Sequence, residues 1–295
     1  MKARLERLLG RIRGNAKARW PWSRKNAEKR EKHADRAASI PEHAFGWTVH
    51  RDVAMRLKGL PVEAPGPPIA ERDERTAFKI RLAGSHETHR QASLLVQQRY
   101  AKRGYRALTT PANPNVWTFA AYDEGRLAGT ITVRLDSRDG VAADALYRDE
   151  IDAIRRNRHR ICEFTRLAVN ASRRSQPVLA GLFHTVYLFA WRVRNFDYVV
   201  IEVNPRHVGF YRRSLGFDVI GAERDNPRVG APAVLMGISF ADIAHHLHRH
   251  TVAARHSAKA KSLYAYGFSP TEEAGVLGRL RMLEAAPAFA HRYTN

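Results

Sequence analysis

Two short stretches of this 295-residue chain hold the side chains best placed to do chemistry. In RICEFTRLAV (160–169), Glu163, Thr165 and Arg166 interrupt an otherwise apolar strand. Burying a carboxylate and a guanidinium there costs several kcal/mol unless they pair or meet a polar ligand. Some thirty residues on, VVIEVNPRHVGFYRRSLGF (199–217) reads as a strand, then a helix carrying Asn204 and Tyr211, then a glycine stop. A carboxylate that takes a proton, a cation that grips an anion and a phenol that returns a proton are the parts of an acyl-transfer site. Structural alternatives stand beside each part. Glu163 could instead pair with a core arginine such as Arg134, Arg166 could brace acidic side chains, and Tyr211 could be a core aromatic next to Phe210.

The elements that position these residues follow from periodicity. On a strand over 160–169, alternation puts Glu163, Thr165 and Leu167 on one face and Arg166 on the other. Asn204 suits a helix N-cap with Pro205 at the first helical position, and Gly216 suits the stop. Alternating segments at 117–122 and 127–135 flank the turn Asp123-Glu124-Gly125 and predict a β-hairpin. Strands are expected at 78–83, 160–169, 197–203, 217–221 and 233–240. Helices are expected at 86–103, 145–156, 178–193, 207–215 and from about residue 242. The resulting order, β-α-β-β-α-β-α-β-α-β-β, is of the mixed α/β (α+β) class.

Composition bounds the rest. The chain is 44% hydrophobic, with a formal net charge of +21 spread along its length rather than confined to a tail. A basic folded body attracts polyanions: nucleic acid, anionic lipid or an acidic protein. No run approaches the roughly 18 apolar residues that a membrane span needs. Leu8-Leu9 falls short of a signal-peptide core of about 7 residues, so a cytoplasmic protein is expected. The single cysteine, Cys162, excludes an internal disulfide framework and reads as core filler rather than a nucleophile.

Residues 1–75 form a basic extension ending in the Pro-rich linker PVEAPGPP (61–68). Its Leu5, Leu8, Leu9, Ile12 stripe and its Trp20 and Trp22 belong either to a solubilising tail or to a segment that docks peripherally on an anionic membrane surface. Residues 76–245 form the main domain, and 246–295 form a C-terminal helical extension. The histidine tract at 245–250 reads as a solvated helix face, with no metal site assigned. There is no phosphate-binding or dinucleotide glycine loop.

With these motifs in place, the chain resembles the GNAT acyltransferases, and NPRHVGFYRRSLGF looks like that family's last motif. The resemblance implies a mostly antiparallel central sheet whose two central strands splay apart, flanked by helices. The thioester arm of the acyl donor then lies in the gap, pairing with one strand's backbone, here near Leu167 and Val169. Over about residues 78–240, RLAGSHETHRQASLLVQQRYAKRGY, ALYRDEIDAIRRNRHRICEFTRLAV and IEVNPRHVGFYRRSLGF are similar to bacterial N-acyl amino acid synthases, relatives of the acyl-homoserine lactone synthases. Such enzymes join a fatty acyl chain from acyl carrier protein to an amino acid's α-amine. The resemblance assigns Glu163 to hold the ammonium and take its proton, and Tyr211 to protonate the leaving thiolate. Arg134, Thr165, Arg166 and Asn204 would line the amino acid site, with Arg166 on its carboxylate.

One departure bears on the donor. Coenzyme A-binding relatives carry glycines where this chain has Arg173-Arg174-Ser175-Gln176-Pro177. Pro177 has no N–H to offer a pyrophosphate. Arg173, Arg174 and Ser175 remain suited to the single phosphate of acyl-phosphopantetheine. An acidic acyl carrier protein is therefore the expected partner, with no tightly bound cofactor. An ornithine-lipid-type acyltransferase or an enzyme like the lactone synthases is the enzymatic alternative. A nucleic-acid-binding protein is the other class, although no recognition motif supports it. Acceptor and chain length are not legible.

Overall fold

The computed structural model describes residues 46–49, 78–107, 113–171, 175–253 and 262–285. The first half runs β1 (Gly46–Val49), β2 (Phe78–Leu82), α1 (His86–Ala101), β3 (Val116–Asp123), β4 (Arg126–Leu135) and α2 (Asp144–Arg156). Then come β5 (Ile161–Val169), α3 (Ser175–Tyr187) continuing as a π-helix (Leu188–Val193), β6 (Tyr198–Val203) and α4 (Pro205–Leu215). The chain continues through β7 (Asp218–Val219), β8 (Arg224–Asn226), β9 (Ala231–Ser239), α5 (Phe240–Ala253), a 3-10 helix (Leu263–Tyr266) and α6 (Pro270–Ala285).

Local chemistry explains the boundaries. Glu124 and Gly125 turn the β3–β4 hairpin with φ of 49° and 76°, the left-handed pair that matches strand twist. Ser85 caps α1, its hydroxyl accepting from the Thr88 N–H while the Thr88 hydroxyl accepts from the Ser85 N–H. Asn204 caps α4 as expected, and Gly216 ends it at φ 72°, where a side chain would be strained.

The strands form a nine-stranded sheet in the order β1-β2-β3-β4-β5-β6-β9-β7, with β8 attached to β9. Every neighbouring pair is antiparallel except β5 and β6. Helices α1 and α2 cover one face, where Leu95, Val96 and Ala168, and Tyr147, Ile151, Val200 and Leu235, form two small apolar clusters. The other face carries the main core under α3, including Phe78, Phe119, Phe164, Val186 and Ile201. On that face Gly181 is required, because a Cβ there would lie 2.9 Å from the Phe78 ring.

Two strands went unrecognised in the sequence. Gly46–Val49, within the stretch expected as an extension, pairs with β2 at the sheet edge; the remainder of residues 1–75 lies outside the described residues. Three-residue β8 is the other. The strand expected over 217–221 shrinks to Asp218–Val219. Toward the C-terminus, Leu263, Phe268, Leu277 and Leu280 belong to the main core. Among the described residues, no helix is long and apolar enough to cross a membrane.

Candidate active site

The parallel pair β5–β6 is joined at only three positions, Ile161↔Tyr198, Cys162↔Val199 and Glu163↔Val200. Past Glu163 the strands part, and β5 runs on to Val169 paired only with β4. This splay leaves one edge of the β5 backbone open to a wedge-shaped gap. A strand edge released from its neighbour in this way can take an extended ligand as a further strand.

A bulge reshapes β5 inside the gap. Thr165 pairs with Thr132 but Ala168 pairs with Thr130, so β5 carries one residue more than β4. Arg166 absorbs the extra residue with φ 52°, a strained conformation for a side chain of that size. Strict alternation over 160–169 therefore fails, and two expectations with it. Ala168, not Leu167, shares the face of Glu163 and Thr165, while Leu167 and Val169 pack on the main-core side. Arg166 does not point away from Glu163's face. Its Nη2 donates to Ser93 Oγ of α1 at 3.3 Å, on that same side.

Glu163 is buried, 1% exposed. Its Oε2 accepts from the N–H groups of Ala142 at 2.6 Å and Ala143 at 3.3 Å, at the N-terminus of α2. Those donors and the helix dipole favour the anion. Burial acts against them and dominates, and the nearby Glu202 adds to it, so the carboxyl is pushed up to about 7. Arg134 stands opposite Glu163 in the β4–β5 register, yet it turns away to the carbonyls of Gly140 and Asp139. The core ion pair considered for Glu163 is thus not made with Arg134.

The loop offering those N–H groups is braced from behind. Arg155 bonds Asp136 and Asp144 through paired contacts of 2.7–2.8 Å and also reaches Asp152. Asp144 in turn accepts from the Val141 N–H. Burial pushes Asp144 up, but Arg155 and Val141 outweigh it and hold it below the usual carboxylate range. Gly140 completes the loop at φ 66°, and a Cβ there would collide with Asp144 Oδ2.

Glu202 is the residue the sequence reading missed. It lies on β6 two positions beyond Val200, the last partner of Glu163, and so faces the same side. It pairs with Arg228, which reaches in from the β8–β9 turn, while its Oε1 is buried without a hydrogen bond. Burial raises its carboxyl, and Arg228 opposes the rise. The signal was present: VVIEV sets one carboxylate in an apolar strand, as ICEFT does.

Tyr211 approaches from the other face. Its ring packs edge-on against Phe183, Phe210 and Phe217 at 5.3–6.3 Å. Burial raises its phenol above the ordinary range, followed by the influence of Tyr100 of α1, with Arg103 opposing. The hydroxyl is therefore protonated at neutral pH. Tyr100 is also raised by burial, with Arg166 opposing. Asn204, assigned to the substrate, spends its amide on structure: Oδ1 accepts from the Arg206 N–H and Nδ2 donates to the Pro232 carbonyl.

Ser175 begins α3, the helix that follows the gap-lining strand. Arg173 and Arg174 lie outside the described residues. Cys162 is fully buried and its thiol is pushed well up by burial, as befits core filler. In the histidine tract, His246 stacks on Tyr264 at 5.5 Å.

Residues 91–239 match the family described as N-acyl amino acid synthase FeeM. The solved structure of FeeM, an N-acyl amino acid synthase from uncultured soil microbes, superposes with a TM-score of 0.53 at 27% identity, covering 57% of this chain and 93% of that one. A putative N-acetyltransferase from Lactobacillus plantarum follows at 0.41 and 19%, covering 55% and 98%. The acyl-homoserine lactone synthase LasI follows at 0.42 and 10%, covering 55% and 90%. No curated protein matches this chain.

Proposed function

Since the chain belongs to the FeeM family of N-acyl amino acid synthases and is an N-acyltransferase, we propose that it moves a long-chain fatty acyl group from acyl carrier protein to the α-amine of an amino acid. The observation that carries this reading is the placement of buried Glu163 and half-buried Glu202 on one side of a splayed strand pair with Tyr211 on the other.

The chemistry follows from those positions. An amino acid arrives as an ammonium zwitterion, and its nitrogen must lose a proton before attacking. A carboxylate with a pKa near 7 is matched to that task at neutral pH. Glu163 takes the proton, the free amine attacks the thioester carbonyl, and a tetrahedral oxyanion forms. Collapse of that species breaks the C–S bond and makes the amide. Tyr211 gives its proton to the departing thiolate and is restored, through water, by the second proton that the nitrogen sheds as the amide forms, while Glu163 releases the first to solvent. Arg166 supplies the positive charge for the substrate carboxylate on the Glu163 side of the gap.

The donor assignment has two supports. Pro177 lies in the first turn of α3, so that turn lacks one of the N–H groups a pyrophosphate would use. The basic chain also suits an acidic carrier protein. Incubating the purified full chain with acyl carrier protein thioesters and a panel of amino acids, followed by mass spectrometry, tests the reading. N-acyl amino acid products are expected, and their absence with every acceptor would overturn it.

A further inference from the structure

An apolar cavity on the α3 side of the sheet extends from Phe164, where β5 and β6 part, to the C-terminal segment. At its inner end stand Phe164, the first β5 residue past the last β6 pairing, and Phe183. Phe183 packs at 6.3 Å from both Phe164 and Tyr211. The outer wall is Ile243 and Leu247 of α5 with Leu263 and Gly267 of the 3-10 segment. All four wall residues lie beyond residue 239, where the family match stops.

That wall is tied down at both ends. Tyr264 Oη donates to the Leu215 carbonyl at 2.8 Å, and Ser262 Oγ donates to the Ser214 carbonyl at 3.3 Å. On the other side the Phe268 N–H donates to His184 Nδ1 at 2.9 Å, and the two rings stack at 4.6 Å. His184 Nε2 sits 3.5 Å from Glu273 Oε2 of α6. As packed, the cavity holds about 20 Å3, little more than a water-sized group. An alkyl chain threaded from the gap soon meets the wall.

We propose that residues 262–268, backed by α5, form the end wall of the acyl-chain site and set the length of fatty acyl group this chain accepts. The inference rests on the acyl-donor reading above. Each methylene that gains apolar contact inside the cavity tightens binding about fourfold. A methylene that must displace the wall breaks the Leu215, Ser214 and His184 ties, so the gain stops at a defined length. The substrate class is a fatty acyl chain, since the lining is apolar apart from His184 and the rings of Tyr187 and Tyr264, and the Tyr264 hydroxyl is already spent on the Leu215 carbonyl.

The test is displacement of cis-parinaric acid from the full chain by saturated fatty acids from octanoate to octadecanoate. Leu263→Ala removes wall volume and should move the tightest-bound length up by about two carbons. Ala180→Leu fills the cavity from α3, where Ala180 is 4% exposed, and should move it down. Circular dichroism checks folding, and either variant alone decides the matter if the other fails to fold. An identical length optimum in the folded proteins overturns the proposal, as does the absence of saturable parinarate binding to the wild type. The donor reading fails separately: a shifted binding optimum with no acyl transfer from carrier protein leaves the wall standing, and transfer with unshifted product lengths does the reverse.

Discussion

Glu163 and Glu202 stand on one face of two parallel strands, Glu163 at the last paired position and Glu202 two residues past it, where the strands have begun to part. Burial raises both carboxyls, and the charge of Glu202 raises Glu163 further. Arg228 on Glu202 and two backbone N–H groups on Glu163 oppose that rise.

Glu163→Gln should lower acyl transfer by a factor on the order of 10² or more and should stabilise the fold above neutral pH. The folded carboxyl titrates near 7 against 4.5 ordinarily. Because the folded value is raised, stability is complete below pH 4.5 and declines as pH climbs through 7. The loss is on the order of 3 kcal/mol. Glutamine keeps an acceptor for Ala142 without the charge. Thermal unfolding of both proteins between pH 4 and 8 is the measurement, and a variant–wild-type difference that stays constant across that window would sink the assignment.

Arg228→Met removes the cation that offsets the carboxylate pair. Both carboxyls should then rise, moving the acidic limb of kcat/KM to higher pH by about one unit. A pH–rate profile superimposable on the wild type would show that Arg228 does not communicate with Glu163.

Tyr211→Phe should slow the chemical step by about 10² while leaving acceptor binding unchanged, since only the hydroxyl is lost from a ring held by Phe183, Phe210 and Phe217. Single-turnover rates separate the two effects. A wild-type rate across pH would return Tyr211 to a packing role.

Arg155→Leu should cost about 2 to 4 kcal/mol, because Asp136 and Asp144 are left without their cation. It should also depress kcat, through loosening of the Gly140–Ala143 loop that holds Glu163. The split matters: loss of stability with an intact kcat would make the network structural only.

Acyl carrier protein donors should outcompete acyl-coenzyme A, and the apparent KM for the carrier should rise as salt increases from 0.05 to 0.2 M, roughly the range where the Debye length shrinks below about 10 Å. Charge reversal at Arg173 and Arg174 should raise it further. Equal catalytic efficiency with the two donors, or a KM indifferent to salt, would falsify the proposed partner.

Periodicity, caps and turns are properties of neighbours in the chain, so the sequence by itself determined most of the elements. It carried the hairpin at Glu124-Gly125, the Asn204 cap, the Gly216 stop and the order of strands and helices, because each depends on residues within a few positions of one another. It also marked Glu163, since a carboxylate in an apolar strand needs a reason wherever the strand lies. Short strands β1 and β8 escaped because four and three residues give too little pattern to read.

Only the tertiary structure decided the site. The bulge at Arg166 arises from unequal residue counts on two paired strands, which no single strand's alternation reveals, and it reversed the expected facings of Arg166 and Leu167. Glu202 became the partner of Glu163 because β5 and β6, about forty residues apart in sequence, pair in parallel for three positions and then diverge. Arg134 was drawn to loop carbonyls rather than to the carboxylate directly across from it, since the N–H groups of α2 already solvate that carboxylate. Long-range pairing, and the competition among partners that it creates, is what the linear order of residues leaves open.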